Sequence, residues 1–281
     1  MKLFVTGAGG QLGKELMLLD APPHIQIHGA GRDQLDITDA EQCRQLLASY
    51  TPDAVLHCAA YTAVDKAESE PDAAYLVNQI GTRNVALAAK ACGAKLCYIS
   101  TDYVFDGQGN VPYEEHDAVN PQTVYGKSKL AGEQEVQSIM DRAYIVRTSW
   151  VFGQYGSNFV RTILKLASER GELQVVSDQI GSPTYTLDLA RFLIELVQTE
   201  YYGIYHASNQ GACSWYDFAK EIVHESGMHT VKLHPCATSA FPRPAARPAY
   251  SVMRHGAIEK HGLTDLRPWQ EALHHYINGK T

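Results

Sequence analysis

A doubly wound α/β sheet of parallel strands is the fold this sequence predicts, on three observations. The chain opens on a short apolar run that breaks into a glycine-rich turn and then a helix pattern. Apolar runs of strand length then alternate with amphipathic stretches of helix length as far as about Trp150. Chemically capable residues fall at the carboxyl ends of those runs, where such a sheet opens its ligand crevice.

Lys2–Thr6 is the first strand, and Gly7-Ala8-Gly9-Gly10-Gln11-Leu12-Gly13 leads it into a helix from Gln11 to about Leu19. Glycines at 7, 10 and 13 suit a sharp turn that lets a dinucleotide pyrophosphate approach a helix N-terminus. The second strand, Ile25–Ala30, runs into Gly31-Arg32. An acid near that place would select NADH, and an arginine suits the 2′-phosphate of NADPH. Arg32 therefore predicts NADPH, with NADH tolerated. Asp36 stands where a carboxylate can bond an adenine amino group, and Thr38-Asp39-Ala40-Glu41 reads as a capping box starting a helix to about Tyr50. Ala54–Cys58 is the third strand, and the small residues after it let a cofactor lie close above the sheet. One long helix is expected from Pro71 to Gly93, its inner face Ala74, Val77, Val85, Ala88 and Cys92. Lys95–Ser100 is the fourth strand, ending at Thr101. A loop punctuated by Gly107, Gly109 and Pro112 leads to a helix carrying Tyr125, and Ala143–Thr148 is the fifth strand.

Beyond Trp150 the pattern loosens. Helices are expected over Asn158–Arg170, Thr186–Gln198 and Trp215–Ser226, strands over Leu173–Val176 and Gly203–Ala207. Pro242, Pro244 and Pro248 mark an extended surface loop, and Pro268–Ile277 is an amphipathic tail. Residues 1–155 form the expected dinucleotide-binding domain, with elements from about 180–207 returning to it. Residues 156–281 are expected to be mainly a smaller α/β substrate-binding lobe.

Composition narrows the function. With 281 residues, 45% hydrophobic and 20% charged, the chain is an ordinary globular one. A formal charge of −7 without any basic run excludes a nucleic-acid groove. There is no signal-peptide pattern and no uninterrupted apolar run of about 18 residues, so a cytoplasmic protein without membrane spans is expected. The six cysteines form no CxxC pair and the twelve histidines no HExxH, so reduced thiols and no catalytic zinc are expected.

The chemistry centres on Tyr125-Gly126-Lys127-Ser128-Lys129. Tyr125 and Lys129 lie one turn apart on one helix face. A phenol titrating near about 10 transfers protons poorly at neutral pH, and an ammonium close by favours its anion. Tyr125 is thus read as proton donor to a ketone receiving hydride, Lys129 as the charge that tunes it and binds the nicotinamide ribose. The Thr101 hydroxyl is read as bonding the same ketone oxygen.

Thr101, Tyr125 and Lys129 resemble the catalytic set of the extended short-chain dehydrogenase/reductase family. Longer stretches resemble the dTDP-4-dehydrorhamnose reductase family within it. These are Thr62-Ala63-Val64-Asp65-Lys66-Ala67-Glu68, Ser100-Thr101-Asp102-Tyr103-Val104-Phe105, Tyr125 to Glu133, Arg147 to Val151, Asp178 to Thr184 and Arg247-Pro248. The resemblance implies a Rossmann sheet and NAD(P)H-dependent reduction of the C4 ketone of a dTDP-sugar. It implies that Gln11 and Leu12 join Gly10 at the cofactor phosphate, Ile37 joins Asp36 at the adenine, and Ala60, Tyr61 and Thr62 line the nicotinamide side. Val64, Asp102 and Trp150 are implied, with Thr101, at the sugar nucleotide, and Arg247 at its diphosphate. It also implies Mg2+ at a homodimer interface, for which Glu15 matches one ligand, Leu187 replaces the next acid, and Glu271 could stand for the last. Alternatives are another sugar-nucleotide reductase or epimerase, or a non-catalytic regulatory subunit on the same fold. Tyr103 after Asp102, where a dehydratase carries glutamate, argues against water elimination.

Overall fold

Six parallel strands form the central sheet of the computed structural model, which describes residues 1–279. They are β1 (Lys2–Thr6), β2 (Gln26–Ala30), β3 (Ala54–His57), β4 (Lys95–Thr101), β5 (Ala143–Thr148) and β6 (Gly203–His206), in spatial order β6-β5-β4-β3-β1-β2. Every neighbouring pair is parallel, and the register sets Thr6 beside Ala30 and His57, and Thr101 beside Thr148. The carboxyl ends therefore finish along one edge.

The four inner strands, β5, β4, β3 and β1, are buried on both faces, which is why they read as continuous apolar runs. Leu3, Val5, Leu56, Cys97 and Val146 pack on one side against Leu12 and Leu16 of α1 (Gln11–Leu18) and against Leu189 and Leu193 of the Thr186–Leu196 helix. Phe4, Val55, Leu96 and Ile145 pack on the other against α2 (Ala40–Tyr50), α3 (Thr82–Ala91) and α4 (Val124–Ile139). The smaller lobe has its own core, with Phe152, Ile163, Phe218, Ile222 and Leu273 among the buried residues. Among the described residues no helix is long and apolar enough to cross a membrane.

Three local expectations fail. The Pro71–Gly93 helix breaks into Pro71–Tyr75, a π-helical stretch Leu76–Gly81, and α3. The wide turns accompany an inward Asn78, and Val77 and Cys92 end half-buried. No capping box starts α2. Asp39 caps it, accepting from the amides of Glu41 (2.9 Å) and Gln42 (3.0 Å), because Asp36 has captured the Thr38 amide and hydroxyl. The Lys232–Cys236 strand, paired with Glu172–Val176, was not anticipated. Its mostly exposed residues and Pro235 hide the apolar pattern.

Candidate active site

The glycine turn makes a cradle that only glycine allows. Gly7 has φ +67°, and a Cβ there would stand 2.7 Å from the Ala59 Cα. Gly10 is the N-cap of α1 with no side-chain cap, which leaves the helix amides open to an anion. Gly13 serves differently, since a Cβ there would strike the Gly7 carbonyl. It seats the helix on the turn and does not line the cleft.

The cleft of about 1170 Å3 above the sheet edge is lined by Gly7, Gly10, Gln11, Leu12, Arg32, Asp36, Ile37, Ala60, Tyr61, Thr62, Val64, Thr101, Asp102, Tyr125, Lys129 and Trp150. Several of these side chains also have structural work. Gln11 donates to the Val151 carbonyl (3.2 Å) and accepts from Asn158 (2.8 Å). The Asp36 carboxyl is held low by its bonds from Thr38, and Ile37 packs its side chain against Gly81. Arg32 is exposed at the cleft wall.

The catalytic candidates meet on one wall. Thr123 caps α4 by accepting from the Gly126 amide (3.0 Å), which fixes where Tyr125 enters the cleft. Burial pushes the Tyr125 phenol up to about 12, against a lowering contact from the Thr101 hydroxyl. Lys129 is buried, donates to the Ile99 carbonyl (2.6 Å) and stands 4.0 Å above the Tyr98 ring. Desolvation lowers its ammonium to about 7. The expectation that Lys129 brings the phenol down is therefore corrected. Burial dominates both groups, and the ammonium is turned to a carbonyl and a ring face.

Trp150 carries φ +47°, a strained backbone for a side chain of that size, and stacks on Trp215 with centroids 3.4 Å apart. Asp102 is 3% exposed, its Oδ2 has no partner among the described residues, and burial raises its carboxyl to about 6.

Two further expected site residues stand outside the cleft lining. Arg247 does not line the cleft. Its guanidinium pairs with Asp65 at 2.8 Å, anchoring the proline-rich loop. Glu15 accepts from the Thr186 hydroxyl (2.7 Å), and among the described residues it belongs to no cluster of metal-ligating side chains. With Leu187 in place of the next acid, the donor set of this chain is incomplete for a Mg2+ ion.

Sequence reading missed what lies beneath the wall. Asn78 binds Tyr61 through both its amide and carbonyl (2.8 and 3.1 Å) and donates to the Ser128 hydroxyl (2.9 Å). Glu133, one turn beyond Lys129, accepts two bonds from Arg147 (3.0 and 2.7 Å) and one from Ser100. The spacing of Tyr125, Lys129 and Glu133 at successive turns was the available signal.

Known proteins resemble this chain along its whole length. The family model described as the RmlD substrate binding domain matches residues 1–281. The spore coat polysaccharide biosynthesis protein SpsK of Bacillus subtilis is 47% identical over 280 residues, covering 100% of this chain and 98% of that protein. A dTDP-4-dehydrorhamnose reductase of Mycolicibacterium smegmatis is 43% identical, covering 97% of this chain and 84% of that one. The crystal structure of a dTDP-4-dehydrorhamnose reductase of Bacillus anthracis in complex with NADP superposes with TM-score 0.97 at 45% identity, covering 99% of both chains.

Proposed function

Since the chain belongs to the RmlD substrate binding domain family from end to end, we propose that it is an oxidoreductase reducing the C4 ketone of dTDP-4-dehydro-β-L-rhamnose to dTDP-β-L-rhamnose, the last step in making that activated sugar. The observation that carries this reading is the meeting of Thr101, Tyr125 and Lys129 on one wall of the glycine-turn cleft. NADPH, bound there, supplies the hydride. The cradle at Gly7 and Gly10 and the open amides of α1 suit its pyrophosphate, and exposed Arg32 suits its 2′-phosphate.

Tyr125, pushed up to about 12, is a neutral phenol at physiological pH, the state a proton donor needs. Its proton goes to the ketone oxygen as carbon receives hydride, and Thr101 beside it holds that oxygen. Lys129, one turn along α4 and lining the same cleft, is the residue that would hold the nicotinamide ribose. Asp102 and Trp150 present a buried carboxyl and an aromatic face to the sugar nucleotide. No acid follows Asp102, and Tyr103 in that place gives an elimination no base.

The test is NADPH absorbance on adding dTDP-4-dehydrorhamnose. Tyr125→Phe should lower kcat by roughly 10²–10⁴-fold with the fold intact. Wild-type protein that oxidises no NADPH, or a Tyr125→Phe rate equal to wild type, defeats the reading.

A further inference from the structure

Lys129 sits in a site that should strip its charge. It is 2% exposed, and burial alone would favour the neutral amine. The groups around it are few. On its own helix are Tyr125 and Glu133. From β4 come the Tyr98 ring and the Ile99 carbonyl, and from the end of β3 His57 and the Cys58 thiol. His57 is held neutral, burial pushes its pKa down to about 3, and burial keeps the Cys58 thiol protonated at about 12. Glu133 stands one turn along the same helix, and among the described residues it is the carboxylate whose charge opposes the desolvation of the ammonium.

Glu133 is itself 1% exposed, and Arg147 binds it through two nitrogens while Ser100 donates a third bond. Those partners are placed to matter. Ser100 precedes Thr101 on β4, and Arg147 lies on β5 three residues before Trp150. One carboxylate therefore ties the catalytic helix to the two strand ends that carry the other site residues.

We propose that Glu133 is a positioning residue of the reaction, whose buried charge, secured by Arg147, keeps Lys129 in its ammonium form. This rests on the reductase reading. Burial brings Lys129 down to about 7, with Glu133 opposing it. Activity that needs the ammonium is present below that pKa and falls as pH rises through it. Without Glu133 the fall begins at lower pH.

The experiment is the pH profile of kcat/KM for the sugar nucleotide with NADPH. Glu133→Gln keeps the shape, removes the charge and should move the alkaline limb down by about one pH unit. Glu133→Asp, which restores the charge, should return the limb toward wild type. Should Glu133→Gln fail to fold with Arg147 left unpaired, Glu133→Gln with Arg147→Met removes both charges and should show the same downward movement. An unmoved limb in a folded variant overturns the proposal, because a merely structural role would lower the rate without shifting the profile. Titration of the Lys129 resonance in protein labelled with 15N-lysine reads the same pKa without turnover. Wild type inactive on the sugar would thus defeat the reductase reading and leave this one to the resonance.

Discussion

Two arginine–carboxylate pairs have nearly the same closest distance and opposite surroundings. Arg147 and Glu133 meet at 2.7 Å with side chains 3% and 2% exposed. Arg247 and Asp65 meet at 2.8 Å with side chains 22% and 33% exposed. Distance does not separate them, but water does. A dry pair overcomes desolvation only when its hydrogen bonds are complete, and once made it tolerates little change. A half-wet pair is screened and contributes little. The first locks strands and catalytic helix into one frame. The second locates a loop.

The largest effect should come from stranding one charge of the buried pair. Arg147→Met leaves Glu133 without its counter-ion and should cost about 3–5 kcal/mol in urea unfolding. Adding Glu133→Gln to the same chain should recover much of that loss. A single-variant cost below about 1 kcal/mol would mean that water reaches the pair, and the contrast would collapse.

Asp102 sharpens the comparison, because it is as buried as Glu133 and has no arginine. Its carboxyl is raised from 3.8 to about 6, mainly by burial. A carboxyl raised in the folded state binds its proton more tightly there than in the unfolded chain. Stability therefore falls as pH rises from 3.8 to about 6, and the full penalty holds above that window. Two pKa units correspond to about 3 kcal/mol. Asp102→Asn should stabilise the protein by up to that amount at pH near 8, less near 5, and not at all below the window. Equal gains at every pH would rule out titration as the cause. An acid kept at that cost on the cleft wall fits a group held for the substrate, with stability sacrificed.

The same contrast explains what could be read from the sequence. The four inner sheet strands were legible because both their faces are apolar, and the glycine turn because its backbone demands are local. Tyr125 and Lys129 were legible through one helical turn. Asn78 and Arg147 were not, because their partners lie far off in the chain, Ser128 and Glu133 among them, and only the fold brings them together. The pairing of Arg247 was hidden for a related reason. Its charge suggests a phosphate, but the sequence does not reveal that Asp65, on a distant element, reaches it first. Charge type is local information, and charge pairing is tertiary. Lys129 shows the rule acting on chemistry, for the spacing places it by Tyr125 while burial decides its proton affinity.

The smallest effect belongs to the exposed pair. Arg247 donates to Asp65 and to the Ala245 carbonyl (2.9 Å), and the Ala245 amide reaches Asp65 at 3.3 Å, so one carboxylate holds the loop by charge and by backbone. Asp65→Asn keeps an acceptor and removes the charge. It should cost under about 1 kcal/mol at low salt, and the difference should shrink as ionic strength rises. Arg247→Ala should likewise change the KM for the sugar nucleotide by less than about threefold, the equivalent of under about 1 kcal/mol. A rise beyond about tenfold, with NADPH binding unchanged, would mean that the arginine leaves Asp65 for the substrate. The loop would then be a clamp that trades one anion for another, and the weakness of the exposed pair would be what lets it exchange.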